Sequence, residues 1–194
     1  RETLRFLKNE EGKYYINIDE SCWRIYNFID KSYTTNLIKN RTLFEEAGRS
    51  FGRFQGLLSD YPSESLKETI PDFHNTPKRL ENLEKAIEED VAGRVGEVKE
   101  EIDFCLSNKD KAGLALKLLE EGKIPLRVTH NDTKINNILF DEATGKGLCV
   151  IDLDTIMPGL SLYDFGDAIR SGASTALEDE KDLSKVSVSL ELYE

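Results

Sequence analysis

Apolar and polar positions at the start of the chain fall into short strand-like runs. Thr3–Leu7 and Tyr14–Ile18, separated by a turn at Asn9–Lys13, predict a β-hairpin. Cys22–Ile29, rich in aromatic and β-branched residues, predicts a third strand, so that Arg1–Ile29 reads as an antiparallel sheet. From Thr42 the rhythm lengthens. Thr42–Leu58 predicts a helix with Thr42 and Glu45 as a capping box. Its Gly48, Gly52 and Gly56 share one face and predict close helix packing, since a phosphate cradle needs a strand–loop–helix setting. Ile70–Pro77 predicts a loop entering another helix, with Thr76 as cap and Pro77 at the first helical position. Leu80, Leu83, Ile87 and Val91 form one apolar stripe; Val95, Val98, Ile102 and Cys105 form the next, and Gly93 and Gly96 predict a break between them. The charges of Glu81–Glu101 predict a solvated helix face. Lys109–Glu121 predicts a further amphipathic helix stopped at Gly122.

Strand-like runs then return at Ile124–Val128, Ile138–Phe140 and Leu148–Ile151. The turn-rich Asp141–Gly147 folds the last two back as a hairpin. That geometry gathers Asp132, Asn137 and Asp152 at one end of a small sheet. Such a cluster suits phosphoryl transfer, which needs a carboxylate to receive or orient the acceptor proton and hard oxygen ligands for Mg²⁺. Beyond Ser171 the chain turns Ser-, Asp- and Glu-rich before a helical restart near Leu183.

Composition narrows the partners. The 194 residues carry a net charge of −11, which disfavours nonspecific attraction to nucleic acid or to an anionic membrane. No apolar run approaches transmembrane length. Cys22, Cys105 and Cys149 are odd in number and scattered, favouring reduced, buried thiols in a cytoplasmic protein. His74 and His130 are the only histidines, which excludes a His-rich metal centre. The chain opens with Arg1 and closes at Glu194 without a start or stop signal, and reads as a piece of a longer protein.

The motif His130-x-Asp132-x-x-x-x-Asn137 followed by Ile151-Asp152-x-Asp154 resembles the catalytic core of the aminoglycoside phosphotransferase and choline kinase family, distant relatives of protein kinases. Within that family His130–Asn137, Ile151–Gly159, Tyr163–Arg170 and the earlier Ile70–Thr76 are most similar to N-acetylhexosamine 1-kinases. The resemblance implies an α+β, protein-kinase-like fold. Residues 1–29 would end an N-lobe sheet and hinge, and residues 30–194 would form a mostly helical C-lobe with its catalytic core at 124–170. The fold's glycine-rich phosphate loop and strand lysine have no counterpart in residues 1–29, so this piece by itself is expected to be inactive.

It implies an ATP- and Mg²⁺-dependent kinase that phosphorylates the anomeric hydroxyl of an N-acetylhexosamine. An aminoglycoside, another sugar or a choline-type alcohol stays open as acceptor, as does a kinase-like binding module without turnover. The implied partners are ATP and a small-molecule sugar, with neither nucleic acid nor membrane; the sequence leaves the oligomeric state open. Asp132 is the expected base, Lys134 the cation beside the transferred phosphate, and Asn137 and Asp152 the metal ligands. Tyr26 and Phe28 lie near the adenine-facing hinge, and Thr155 is the expected sugar contact. Asp154 adds a metal contact, binds through water or steadies its loop. His130 buttresses the catalytic loop; His74 either fixes its own loop or meets substrate. The tripeptide Asp164-Phe165-Gly166 spells a protein-kinase metal motif, but Ile151-Asp152 already fills the strand-end position. Asp164 therefore reads as structural, capping a following helix or bracing the catalytic loop.

Overall fold

The computed structural model describes residues 3–38 and 40–193. β1 (Ile16–Ile18) and β2 (Ser21–Trp23) pair antiparallel through Asp19 and Glu20, both at positive φ. Two such residues match the right-handed twist of a tight hairpin. The ribbon resumes further along, where Leu7 N donates to Ile25 O at 2.9 Å and Asn27 N to Arg5 O at 3.1 Å. Thr3–Leu7 thus faces the far end of the Cys22–Ile29 run, correcting the expected pairing with Tyr14–Ile18. The Asn9–Lys13 turn is an excursion within one arm of the ribbon. Asn9 Oδ1 closes it by accepting from Glu11 N and Lys13 N, so the loop satisfies itself without a flanking ladder. Arg1 and Glu2, part of the expected strand region, lie outside the described residues. Cys22 is exposed, contrary to expectation, whereas Cys149 is buried.

β3 (Ser32–Tyr33) leads into α1 (Arg41–Leu57). The cap of α1 is Asn40, whose Oδ1 accepts from Leu43 N at 2.9 Å; it replaces the expected Thr42–Glu45 box, and Glu45 pairs with Arg41 instead. The expected close packing at Gly48, Gly52 and Gly56 is absent, because a Cβ at any of them would meet open space. Close approach to α1 comes from its neighbours. A Cβ at Gly147 would overlap Ser50, and one at Gly172 would overlap Phe44.

α2 (Thr76–Glu89) is capped by Asn75 rather than Thr76, with Pro77 in its first turn. Asp90 takes a left-handed conformation at its end, leaving Val91 outside the stripe and 89% exposed. The expected break follows before α3 (Lys99–Ser107). The single helix expected over Lys109–Glu121 divides at Gly113 into α4 (Lys109–Ala112) and α5 (Leu114–Glu120), where glycine is the weakest helix former of the segment.

The remaining elements carry the site. β4 (Arg127–Thr129) pairs with β7 (Met157–Gly159), and β5 (Ile138–Asp141) lies between β3 and β6 (Gly147–Val150). The β5–β6 hairpin forms as its apolar runs and turn residues predict. α6 (Ser161–Gly172) and the short α7 (Leu190–Tyr193) close the order. Ala47 and Phe51 of α1 pack on Ile135, Ile138 and Phe140, so the core sits directly beneath the loop that joins β4 to β5. Phe140 is fully buried at its centre. We expect Phe140→Ala to destabilise the fold by about 3–5 kcal/mol in urea denaturation; a loss below ~1 kcal/mol would mean the hairpin contributes little to the core. Among the described residues no helix is long and apolar enough to cross a membrane.

Candidate active site

The loop from His130 to Asn137 is shaped by buried polar contacts on every side. Asn131 adopts φ 67, a left-handed turn that Asn tolerates better than most residues. The turn lets two successive backbone amides face one carboxylate. Asp164, 3% exposed on α6, accepts from His130 N at 3.0 Å and from Asn131 N at 2.7 Å. Gln55 Nε2 of α1 adds a third donor at 2.6 Å, and Thr133 Oγ1 donates to Asp164 O at 2.6 Å. Of the two expectations for Asp164, bracing the loop is the one realised. It lies inside α6, which starts three residues earlier at Ser161, so it does not cap a following helix.

His130 is fully buried between Phe51 and Phe54, which meet its ring edge-to-face. Its Nε2 lies 2.9 Å from Ile151 O and its Nδ1 accepts from Asp132 N at 3.3 Å. With both partners in place, the network assigns the proton to Nε2. The imidazole thereby ties the His130–Asn137 loop to the end of β6.

Asn137 makes the central contact. Its Nδ2 donates to Asp132 O at 2.8 Å and to Asp132 Oδ2 at 2.9 Å. Both amide hydrogens are spent on Asp132, so Oδ1 is the atom Asn137 can offer a cation. Its neighbour Asn136 engages Asn36 and Thr34, and among the described hydrogen bonds none joins it to Asp132. Asp152 comes to this loop through the chain beside it, since Ile151 N donates to Asn137 O at 2.9 Å. Asp152 stands at φ 57, turning the chain sharply after β6, and its carboxylate has no hydrogen bond or ion pair among the described residues.

Those donors fit Mg²⁺ chemically: one carboxylate and one amide oxygen, with no histidine or thiolate. Among the described residues no cluster of three His, Cys, Asp or Glu side chains forms. A sparse protein contribution matches a cation that keeps waters and takes further oxygens from phosphates.

Lys134 Nζ lies 3.4 Å from Asp132 Oδ1 and 3.6 Å from Glu178 Oε2. Partial burial pulls the Lys134 pKa down, but the carboxylates of Asp132, Glu178 and Asp167 outweigh it and hold the ammonium above its ordinary range. Beside Lys134 and Asn136 a cavity of about 650 Å³ opens toward Arg170, Glu178 and Leu183, within the size range of small-molecule sites.

The other candidates are more dispersed. Thr155 Oγ1 donates to His130 O at 2.7 Å, which leaves its oxygen available only as an acceptor. Asp154 is taken by Arg24 of the N-terminal ribbon in an ion pair. His74 Nε2 lies 3.3 Å from Asn131 O and its ring stacks on Tyr163. Burial lowers the His74 pKa, partly offset by the Asn131 carbonyl. Tyr26 meets Phe6 edge-to-face, and Phe28 is 85% exposed on the approach to β3.

Sequence reasoning missed Gln55, Thr133, Glu178 and Arg24. Only Gln55 carried a local signal: it follows Phe51 by one helical turn, a polar side chain on the buried face of α1. The sequence matches the model of the phosphotransferase enzyme family over residues 6–183.

Proposed function

Since the chain belongs to the phosphotransferase enzyme family, with a protein-kinase-like, mixed α and β fold, we propose that it is the catalytic part of an ATP- and Mg²⁺-dependent small-molecule kinase. The proposed acceptor is the anomeric hydroxyl of an N-acetylhexosamine, and the products are the sugar 1-phosphate and ADP. The observation that carries the reading is the Asn137 amide clamped on Asp132, with Asp152 one residue beyond the backbone bond to Asn137.

In this reading Asp132 receives the hydroxyl proton as the sugar oxygen bonds to the γ-phosphorus and the bond from phosphorus to the ADP oxygen breaks. Asn137 turns the Asp132 carboxylate so that Oδ1 faces the acceptor, and alignment supplies most of the effect in a loose transition state. Lys134 stands beside the transferred phosphoryl group. Asn137 Oδ1 and Asp152 would hold Mg²⁺, which when bound offsets the charge of the β- and γ-phosphates. The backbone of Tyr26–Phe28 would face adenine, at a hinge between residues 1–29 and 30–194. The cavity beside Lys134, whose lining includes neither Asp132 nor Thr155, would be an approach for the acceptor, and the Thr155 oxygen, an acceptor only, would take a hydrogen bond from a sugar hydroxyl.

Mg²⁺-dependent ADP release by the full-length protein with N-acetylglucosamine, N-acetylgalactosamine, kanamycin and choline tests the reading. Turnover confined to the N-acetyl sugars is expected. Turnover only with kanamycin or choline would keep the chemistry and replace the acceptor; ATP binding without turnover on any of the four would point to a binding module.

A further inference from the structure

The ion pairs around Lys134 continue past the residues used above. Both of its carboxylate contacts, 3.4 Å to Asp132 and 3.6 Å to Glu178, exceed the ~2.7–2.9 Å of a closed ammonium–carboxylate hydrogen bond. The ammonium is within reach of two carboxylates, at lengths longer than a closed bond to either. Glu178 is held in turn: Arg170 Nη1 donates to Glu178 Oε1 at 2.9 Å, and Arg170 Nη2 to Asp167 Oδ1 at 2.8 Å. Asp167 Oδ2 lies 3.4 Å from Thr133 Oγ1, whose hydrogen goes to Asp164 O, and this brings the chain of contacts back to the residue between Asp132 and Lys134. The segment bearing Glu178 is also pinned at its base, where Thr175 N donates to Ser187 O at 3.0 Å and Ser189 N to Ala173 O at 2.8 Å. Fold and ion pairs together hold Glu178 within reach of the Lys134 ammonium.

Building on the phosphotransfer reading, we propose that Glu178 is a positioning residue that keeps Lys134 from closing onto Asp132. A lysine closed on Asp132 would neutralise the carboxylate that receives the acceptor proton. It would also withdraw the ammonium from the phosphoryl group. Two carboxylates at similar distances, 3.4 and 3.6 Å, compete for one ammonium. Removing one leaves the other unopposed.

Glu178→Gln keeps the shape and an oxygen for Arg170 while removing the charge. A crystal structure of this variant is expected to show Lys134 Nζ drawn to ~2.8 Å from Asp132. With the preferred acceptor, kcat is expected to fall about tenfold while KM for acceptor and ATP changes less than about twofold, a loss of alignment without a loss of binding. Glu178→Asp, which keeps the charge, should recover part of kcat. In a Lys134→Ala background Glu178→Gln should cost nothing further, because its effect runs through the lysine. An unchanged Lys134–Asp132 separation, or a kcat loss that persists without Lys134, would overturn the proposal. If the wild-type protein transfers phosphate to no acceptor, the phosphotransfer reading falls, and the crystallographic separation still decides whether Glu178 holds the lysine.

Discussion

Asp132→Asn is expected to lower kcat by about 10²–10⁴-fold, the range for removing a positioned base, while leaving ATP affinity within about threefold. The substitution keeps the size of the side chain and an oxygen for Asn137 Nδ2, which donates to Asp132 Oδ2 at 2.9 Å. What it removes is the charge that faces Lys134 and that, in the proposed reading, receives the proton. Asp132 contributes nothing to the apolar core beneath the loop, so the melting temperature should move little. Steady-state kinetics with thermal denaturation on the same samples separate the two effects. A kcat within threefold of wild type would remove Asp132 from the chemistry.

Asp164→Asn should damage fold and activity together. Three donors converge on this buried carboxylate: His130 N, Asn131 N and Gln55 Nε2. An amide replaces one accepting oxygen with a donor, setting N–H against N–H in a place that water does not reach. A stranded buried donor costs about 1–3 kcal/mol, so a total loss of about 2–4 kcal/mol in urea denaturation is expected. The amides of His130 and Asn131 immediately precede Asp132, and a displacement there of about 1 Å can cost on the order of 10²-fold in kcat/KM. The Mg²⁺ concentration for half-maximal rate should stay unchanged, because Asp164 works from behind the loop. A raised Mg²⁺ requirement in a variant of normal stability would restore the metal role that Asp164-Phe165-Gly166 suggests on its face.

The catalytic hairpin was legible because its signals are local. Apolar runs at Ile138–Phe140 and Leu148–Ile151 flank an unmistakable turn, and β5 and β6 follow them. The motif that carries the family resemblance selects Asn137 rather than its neighbour Asn136, and it is the Asn137 side chain that bonds Asp132. Local signals misled where two were in competition. Asn9–Lys13 looks like a hairpin turn and is one in its own hydrogen bonds, yet Asp19-Glu20 sets the strand pairing. Glycines at four-residue spacing identify a helix face without saying what lies opposite; at Gly48, Gly52 and Gly56 nothing does. Asn40 and Asn75 outcompeted the neighbouring threonines as caps because their side-chain oxygens reach the third amide onward. Pairings such as Arg24 with Asp154 or Gln55 with Asp164 join residues more than a hundred positions apart, so even where one member, Gln55, shows a local signal, no short window names its partner.

The brace on the catalytic loop also sets how that loop opens. The amides of His130 and Asn131 end on the carboxylate of a helix that begins thirty residues later, and no β-ladder partner shields them. Their exchange with deuterated solvent therefore reports the undocking of α6 from α1 and the loop. The residues that would perform the chemistry inherit their order from a tertiary contact made late in the chain, and they share the free energy of opening of that larger cooperative unit.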